Sequence, residues 1–566
     1  MFIPTTKQEL KTLGWNKLDI IIVSGDSYID NPFIGAAVIG KLLISKGFKT
    51  GIIGQPAINS NADITRLGEP KLFWGITGGC IDSMVANYTA SGKKRKKDDY
   101  TAGGLNNKRP DRAVIVYANL IRQHFKNTQP LILGGIEASL RRIPHYDYMS
   151  NKLRRSILFD AKADYIIYGM GEKAVIALAE KLQKKENTKN IAGTCCISAK
   201  HKKEYIQLPS YENILKDKKT FIQMFNTFYS NNDSKTAKGL CQKNGDRYLI
   251  HNPPADNLTT EELDKIYDLN YENDLHPFHK QKGDAPALNT IKFSVKTHRG
   301  CYGECAFCAI AIHEGKTVIS RSEESIIKQV KKLTIHPDFK GYILDAGGPT
   351  ANMYGFECKK KIINGACKDK KCLYPKICPS LNPSHKKQID LLKKLEKIKG
   401  IKKIFIASGI RHDLILADKK YGEKYLKQII KNHISGQMKI APEHIEDKIL
   451  ALIGKPNKQC LIDFVNLFYK YTKQAQKKLY LTYYFMAALP ACAENDMKKL
   501  KTFISSKLKT NPEQIQIFTP TPSTYATLSY YTEINPFTKN KIYVEKNIKK
   551  KEKQKSIIIS KRRMKK

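Results

Sequence analysis

Short apolar segments alternate with amphipathic segments over most of this 566-residue chain, and this alternation restricts the fold more than any other feature. Short apolar runs are typical of buried strands, whereas apolar residues spaced three and four apart are typical of helices. Strands that alternate with helices form largely parallel sheets with helices packed on their faces. The sequence therefore predicts an α/β protein.

The first predicted domain spans residues 1–195 and has the pattern of a doubly wound α/β domain. Its strand candidates are residues 18–23, 49–53, 112–117, 130–133 and 163–168, with a helix candidate at 32–46. Glycines follow several of these strands; they fit a ligand site at the strand ends, and equally fit tight turns. Residues 196–285 lack a regular pattern, and we predict that they connect two domains.

The second predicted domain spans residues 286–537 and repeats the strand–helix pattern. Its strand candidates are residues 291–295, 341–344, 403–407, 437–440, 479–485 and 515–518, and its helix candidates are 323–333, 385–398, 424–434, 461–476 and 496–508. Repeats of this kind predict a partial (βα)6 barrel of the TIM type, with ligands at the strand ends. Residues 356–380 are a cysteine-rich insertion, and the basic tail at 538–566 is predicted to be disordered.

The net charge of +45 indicates a nucleic-acid or other anionic partner. Only 15 of the 98 basic residues are Arg, however, although Arg is the residue that recognises phosphates and base edges in a fork geometry. A general bias towards Lys explains the charge slightly better. A basic nucleic-acid-binding protein nevertheless stays as the alternative function.

The chain has no apolar run of about 18 residues and no secretory signal at its start. We therefore predict a cytoplasmic protein without a membrane partner. Thiols stay reduced in the cytoplasm, so the 13 cysteines are expected to serve metal or redox sites where they cluster.

Cys301, Cys305 and Cys308 have C-x3-C-x2-C spacing on the loop after the first predicted barrel strand. So short a loop brings three thiolates to one metal site. A tetrahedral zinc site needs a fourth ligand nearby, whereas a four-iron cluster held by three thiolates keeps one iron open for another ligand. An iron–sulfur cluster is the favoured interpretation, and a zinc knuckle is the alternative.

A second group of cysteines lies in the insertion: Cys358, Cys367, Cys372 and Cys378. Four thiols so close in sequence, with little apolar sequence between them, indicate a loop cross-linked by metal. A second iron–sulfur cluster and a structural zinc ion are comparable interpretations, and free thiols are the remaining alternative.

The first cysteine loop, with Phe307 before its third cysteine, resembles that of the radical S-adenosylmethionine (SAM) superfamily. The resemblance implies an enzyme whose [4Fe–4S] cluster binds SAM and cleaves it to a 5′-deoxyadenosyl radical. It further implies that Gly347, Gly348 and Pro349 meet the methionyl group through their main chain. The remaining polar residues on the rim, which could contact SAM or the substrate or could simply be a polar surface, are Ser408, Arg411, Lys439 and Glu443.

Over nearly its full length the chain resembles the YgiQ family of radical SAM proteins. The matching segments are residues 2–15, 23–30, 133–142, 347–354 and 441–444, together with both cysteine loops. The resemblance implies a flavodoxin- or ferredoxin-like electron donor and leaves the substrate open, RNA among the candidates. Related classes bind cobalamin in a doubly wound N-terminal domain, often through a loop that contains His. The comparable segment here, from Asp26 to Asp30, has no His, so cobalamin is not expected.

Overall fold

The computed structural model describes residues 1–512 and 515–559, which divide into two compact units. Unit 1 comprises Met1–Lys292 and Ile312–Glu314, and unit 2 comprises Phe293–Ala311 and the described residues from Gly315 onwards. Within the described part of the chain, no helix is both long enough and apolar enough to cross a membrane.

The strands before residue 293 belong to unit 1. They are β1 Ile20–Ser24, β2 Ile29–Asp30, β3 Thr50–Gly54, β4 Phe73–Thr77, β5 Leu131–Gly134, β6 His145–Asp147, β7 Lys152–Arg154, β8 Tyr165–Ile167, β9 Thr194–Ser198, β10 Ile206–Leu208, β11 Leu240–Asn244, β12 Arg247–His251 and β13 Asp274–Leu275. Its helices are α1 Lys7–Thr12, α2 Gly35–Ser45, α3 Ser83–Asn87, α4 Ala113–His124, α5 Gly135–Leu140, α6 Ile157–Asp160, α7 Glu172–Gln183, α8 Tyr211–Lys216, α9 Lys218–Ser230, α10 Thr260–Asp268, α11 Pro277–Lys280 and α12 Leu288–Ile291.

Unit 1 is built on a nine-stranded sheet in the order β10-β11-β12-β9-β8-β5-β4-β1-β3. The neighbouring strands β3, β1, β4, β5 and β8 pair in parallel. Strand β9 pairs with β8 in antiparallel fashion, and β12 pairs with β9 in the same way. Every residue of β1 is buried, as expected of a parallel strand with helices on both faces. This parallel half confirms the predicted α/β class.

Residues 112–117 do not form the predicted strand, because they lie in and just before helix α4. The buried residues of α4 recur at helical spacing, among them Val114, Tyr117 and Ile121. The first amide groups of the helix have partners: the Ala113 N–H donates to Ser83 Oγ at 3.1 Å, and the Val114 N–H donates to Glu137 Oε1 at 3.3 Å. An apolar β-branched run alone could not reveal these partners from a distant part of the sequence.

Residues 196–285 differ from the predicted connector, because they extend the sheet of unit 1. Strands β11 and β12 form a hairpin in which Asn244 pairs with Arg247, and Gly245 has φ 62° in the two-residue turn. Gly at the first turn position is the signature of a type II′ hairpin. Strand β12 then pairs with β9, so this segment shares the hydrogen bonds of the main sheet.

The strands from residue 294 onwards belong to unit 2. They are β14 Ser294–Lys296, β15 His298–Arg299, β16 Ile319–Ser320, β17 Tyr342–Ile343, β18 Asp345–Gly347, β19 Lys403–Ile404, β20 Gln437–Glu443, β21 Tyr480–Ala487 and β22 Gln516–Ile517. The later helices are α13 Ile310–His313, α14 Glu323–Thr334, α15 Lys359–Asn364, α16 Lys386–Glu396, α17 His412–Ala417, α18 Gly422–Gln428, α19 Asp447–Ile453, α20 Lys458–Gln474, α21 Glu494–Phe503, α22 Tyr525–Thr532 and α23 Ile548–Ile558. Short 3-10 or π turns lie at Pro379–Leu381, Ile429–His433 and Ile504–Leu508.

In the described part of unit 2, seven strands form parallel pairs, and the two long ones among them are β20 and β21. Strand β14 pairs with β18, β17 with β19, β20 with β21, and β21 with β22. A parallel bridge between Ile410 and Ile440 connects the β19 region to β20. Helices α14, α16, α18, α20 and α21 fall between successive strands, as the sequence predicts. A barrel shape for this sheet stays a prediction.

The basic tail differs from the prediction of disorder, because residues 548–558 form helix α23. Gln554 accepts a hydrogen bond from the Ala488 N–H at 2.9 Å and donates one to the Cys492 carbonyl at 3.2 Å. Ile558 is buried, and Lys553 pairs with Glu494 at 2.8 Å. Tertiary contacts thus hold a segment whose composition alone indicates a solvated tail. Residues 560–566 of the predicted tail lie outside the described residues.

Candidate metal centre

The three cysteines of the C-x3-C-x2-C loop follow β14 and β15 and are all half-buried. A Cβ atom on Gly303 would lie 3.2 Å from Cys301 Sγ and 3.6 Å from Cys305 Sγ, so these two thiols flank the same glycine. The Cys308 N–H donates to the Cys305 carbonyl at 3.0 Å and closes the turn. The loop therefore holds its thiols on one short, folded segment.

Burial raises the pKa of the Cys301 thiol and raises that of Cys308 to about 12. A negative charge on the neighbouring Cys305 would raise both pKa values further. The protein interior thus favours neutral thiols here, and a bound metal ion would have to displace their protons, as metal ligation by cysteine generally does.

No three His, Cys, Asp or Glu side chains in residues 1–512 and 515–559 form a group that could hold a metal ion. A four-iron cluster is larger than a single ion and binds each thiolate at a different iron, so its cysteines surround a volume instead of meeting at one point. Three thiols on one loop match the donors that such a cluster needs.

Arg411 places a buried positive charge beside this loop. Its Nη1 donates to Cys305 Sγ at 3.6 Å, while Nε and Nη2 donate to the two carboxylate oxygens of Asp413 at 2.9 and 2.6 Å. The backbone of Arg411 is held by Asn352, whose Oδ1 accepts the Arg411 N–H at 2.8 Å. A two-pronged arginine–carboxylate pair fixes the guanidinium, so its third nitrogen is aimed at the cysteine.

Glu443 lies at the end of β20, where the pairing with β21 shifts register. Its φ of 68° is left-handed, and its buried carboxylate pairs with Lys455 Nζ at 3.3 Å. Burial raises the pKa of Glu443 against the effect of Lys455. The Lys455 ammonium also donates to the Ala441 carbonyl at 2.7 Å and lies 5.8 Å from the centre of the Phe307 ring. Bulges and left-handed residues of this kind cluster at functional sites.

Gly347 is the last residue of β18, and Gly348 and Pro349 follow it directly. The Gly347 carbonyl accepts hydrogen bonds from the Thr297 N–H and Oγ1, at 2.7 and 3.1 Å. A Cβ atom on Gly348 would lie 2.5 Å from the His298 ring, so only glycine fits there without movement. The backbone of this segment is therefore tightly packed beside the strand that leads into the cysteine loop.

Ser408 is held by Asp345, the first residue of β18. The Ser408 N–H and hydroxyl both donate to the Asp345 carboxylate, the former at 3.1 Å. Lys439 is different: its side chain is exposed, while Met438 and Ile440 on either side of it in β20 are buried. The alternation of a strand thus turns Lys439 to the opposite face from its buried neighbours.

Four residues of this site were not among the sequence-predicted ones. Asp345 and Asp413 orient Ser408 and Arg411, Lys455 pairs with Glu443, and the Thr350 hydroxyl lies 3.4 Å from Cys301 Sγ. Asp345 and Thr350 follow a predicted strand, so position could have identified them. Lys455 lies in a Gly-Lys-Pro turn after helix α19, and only the fold places it here.

In unit 1, the ends of the parallel strands are filled by charged side chains. Arg109 Nη2 pairs with Asp26 at 2.8 Å and with Asp98 at 2.9 Å, and all three side chains are at most 3% exposed. A Cβ atom on Gly79 would lie 2.2 Å from Asp26 Oδ1, and one on Gly78 would lie 2.3 Å from Glu137 Oε2. Close packing within the protein thus explains the glycines at these strand ends.

Comparison with known protein families identifies this chain. The family model described as Radical SAM N-terminal matches residues 2–294. A UPF0313 protein of Fusobacterium nucleatum is 58% identical over 566 residues, covering 100% of both chains. A UPF0313 protein of Thermotoga neapolitana is 45% identical over 568 residues, covering 100% of this chain and 99% of its own.

Two solved structures share the fold. The radical SAM methyltransferase TsrM of Kitasatospora setae, with tryptophan substrate and the SAM analog aza-SAM bound, has a TM-score of 0.50 at 12% identity, over 89% of this chain and 74% of TsrM. The cobalamin-dependent SAM radical enzyme OxsB, with aqua-cobalamin bound, has a TM-score of 0.50 at 13% identity, over 92% of this chain and 56% of OxsB. The chain belongs to the radical SAM N-terminal family and, within it, to the UPF0313 proteins.

Proposed function

We propose that this protein is a radical SAM enzyme in which Cys301, Cys305 and Cys308 hold a [4Fe–4S] cluster. The observation that carries the proposal is the cysteine loop itself: three half-buried thiols on one turn, with the guanidinium of Arg411 fixed 3.6 Å from Cys305. Family membership supports the same assignment.

When bound and reduced, the cluster supplies one electron that cleaves SAM into methionine and a 5′-deoxyadenosyl radical. The surrounding residues of this chain would hold and orient the reactants. Arg411 offsets negative charge at Cys305, and the Thr350 hydroxyl can donate to the Cys301 sulfur. We assign the main chain of Gly348 and Pro349, with Gly347 before them, to the methionyl group, because this segment is held beside Thr297, shortly before Cys301.

Glu443 and Ser408 are the remaining polar groups of the rim that are held in place, by Lys455 and Asp345 respectively. We assign them to the binding of SAM or of the substrate, whereas the exposed Lys439 is removed from this set. The substrate class stays open, and a flavodoxin- or ferredoxin-like protein is the proposed reductant.

The test is anaerobic reconstitution with iron and sulfide, followed by metal and sulfide analysis, visible absorption and measurement of SAM binding. We expect brown protein with bound iron and acid-labile sulfide, and loss of both features at this site in the Cys301→Ala, Cys305→Ala, Cys308→Ala triple variant. Cys460→Ala is the matched control, because Cys460 is also half-buried but lies on helix α20, outside both cysteine groups. Zinc without iron in the wild-type protein would instead support the nucleic-acid-binding alternative.

We further propose that unit 1 does not bind cobalamin, although OxsB, which shares the fold, holds aqua-cobalamin. The support is local: Asp26, Arg109 and Asp98 fill the strand ends, and no histidine lies between Asp26 and Asp30. Incubation with hydroxocobalamin followed by gel filtration tests this proposal. Co-elution of protein with cobalamin absorbance in a one-to-one ratio would refute it.

A further inference from the structure

The four cysteines of the insertion line one cavity. Cys358, Cys367, Cys372 and Cys378 surround it together with Ser380, Leu381 and four lysines, which are Lys360, Lys361, Lys370 and Lys371. The Cys378 N–H donates to the Cys372 carbonyl at 2.8 Å, which brings two of the cysteines together across a short turn. Their common cavity depends on the fold, because their spacing in sequence does not by itself bring all four together.

The surroundings of this cavity suit a negatively charged group. Lys361 is 2% exposed and Lys316 is 9% exposed, and both face the carboxylate of Glu304, at 3.7 and 3.6 Å. The Lys361 ammonium group also donates to Cys372 Sγ at 3.5 Å, so a buried cation lies directly beside one of the four thiols. A metal centre with four thiolate ligands carries net negative charge, and a buried cation at this distance would stabilise it.

The cavity is connected to the first cysteine loop through buried residues. Lys361 Nζ donates to Cys372 Sγ at 3.5 Å and pairs with Glu304, which lies between Cys301 and Cys305 in sequence. Tyr302 is 0% exposed and belongs to one apolar cluster with Cys358, against which Cys301 and Cys372 also pack. The two cysteine groups thus share one piece of hydrophobic core.

We propose that Cys358, Cys367, Cys372 and Cys378 hold a second iron–sulfur cluster, which passes electrons to the first one. This inference rests on the proposed function, because the first cluster is the acceptor. Each transfer moves one electron: an external one-electron carrier protein reduces the second cluster, and that cluster is oxidised again as the first becomes reduced. Zinc would fit four thiolates equally well, but zinc has no redox chemistry. The shared hydrophobic core places the second cysteine group beside the first, which is the position that an electron relay to the first cluster requires.

The surface beside the cavity fits an acidic carrier protein. Lys360 and Lys370 line the cavity and are exposed, and Ile362 and Ile363 are 45% and 73% exposed on the same short segment. A basic rim with an apolar centre is a common arrangement for transient docking, and flavodoxin- and ferredoxin-like carriers provide the opposite charge.

The experiment compares the iron and sulfide content and the EPR spectrum of the reconstituted wild-type protein with those of Cys358→Ala, Cys372→Ala double variants. The wild type should bind about eight irons, as expected of two cubane clusters, and the double variant about half of that. The remaining EPR signal should be the one that responds to SAM. With dithionite as reductant, 5′-deoxyadenosine formation should persist in the double variant, whereas with a reduced flavodoxin it should fall at least about tenfold.

Misfolding of the double variant is excluded by a milder change. Cys367→Ala leaves three thiolates, and its oxidised form should show the EPR signal of a three-iron cluster, which Cys460→Ala should lack. An unchanged iron content in both variants, or stoichiometric zinc in place of the second cluster, would overturn the inference. The proposed function fails separately, if the variant lacking Cys301, Cys305 and Cys308 still forms 5′-deoxyadenosine.

Discussion

Replacing Arg109 with Met removes the cation that two buried carboxylates share at the strand ends of unit 1. In the native protein Arg109 Nη2 lies 2.8 Å from Asp26 Oδ1, Nε donates to Asp98 Oδ2 at 3.0 Å, and Nη1 donates to the Gly78 carbonyl. The Arg109 side chain is 0% exposed. Met fills a similar volume but leaves both carboxylates without this cation in a nearly dry environment.

The expected loss follows from the cost of an uncompensated buried charge. Removing one partner of a buried ion pair typically destabilises a protein by about 3–5 kcal/mol. Protonation of Asp26 limits the loss, because burial already raises the pKa of this carboxyl. We therefore expect a decrease of about 3 kcal/mol in the free energy of unfolding of unit 1. At a urea dependence of about 3 kcal/mol per M, the midpoint of unfolding falls by about 1 M.

Tryptophan fluorescence measures this unit alone. The chain has two tryptophans: Trp74 lies in the hydrophobic core of unit 1, and Trp15 is partly buried and packs against that core. Urea unfolding followed by their emission therefore avoids the mixed transition that a two-unit protein gives with global probes. Asp26→Asn and Asp98→Asn, added to Arg109→Met, remove the unbalanced charges and should recover a large part of the lost stability.

A small effect would contradict this reasoning. If Arg109→Met shifts the urea midpoint by less than about 0.3 M, or if the two Asn changes lower it further, the network is not the structural element inferred from its burial. A small effect would also reopen the strand ends of unit 1 as a ligand site, since residues that bind a ligand are often dispensable for stability.

Three further predictions test other parts of the structure. Asp147 is mostly buried, which would raise its pKa, but hydrogen bonds from Arg112 and Ser150 lower the pKa from 3.8 to about 2. The ionised carboxylate therefore stabilises the fold above about pH 4, and this stabilisation is lost as the pH falls through 2. In Asp147→Asn, the urea midpoint measured by tryptophan fluorescence should change less with pH over that range. Gly348→Ala places a methyl group 2.5 Å from the His298 ring and should weaken SAM binding at least about tenfold by calorimetry, whereas Gly409→Ala, which has nothing within 4 Å, should not. Gln554→Ala leaves two buried backbone groups without their partner and should cost about 1–3 kcal/mol, measured as a lower melting temperature.

The α/β class could be predicted from the sequence because it depends on local patterns. The long strands of unit 2 and the helices between them lie close to where their periodicity indicates. The errors occur where distant residues decide the structure. The pattern of residues 112–117 predicts a strand, but Ser83 and Glu137 accept hydrogen bonds from the first amide groups of a helix there. Helix α23 forms because Gln554 hydrogen-bonds to the Ala488 backbone and Ile558 is buried.

The candidate site divides in the same way. The spacing of Cys301, Cys305 and Cys308 could be identified from sequence, because these cysteines lie within a few residues of one another. Gly347 and Gly348 could be identified because they come just after a predicted strand. The pairs that shape the site join residues that are far apart in sequence. Arg411 contacts Cys305 across more than one hundred residues, and Lys361 connects Cys372 with Glu304.

The formation of 5′-deoxyadenosine from SAM tests the central claim most directly. Anaerobically reconstituted protein, supplied with SAM and a strong reductant, should release 5′-deoxyadenosine and methionine, as measured by liquid chromatography with mass detection. Cys460→Ala should do the same, and the variant lacking Cys301, Cys305 and Cys308 should release neither product above background. Equal product formation by that triple variant, or none by wild-type protein that has bound iron and sulfide, would contradict the account.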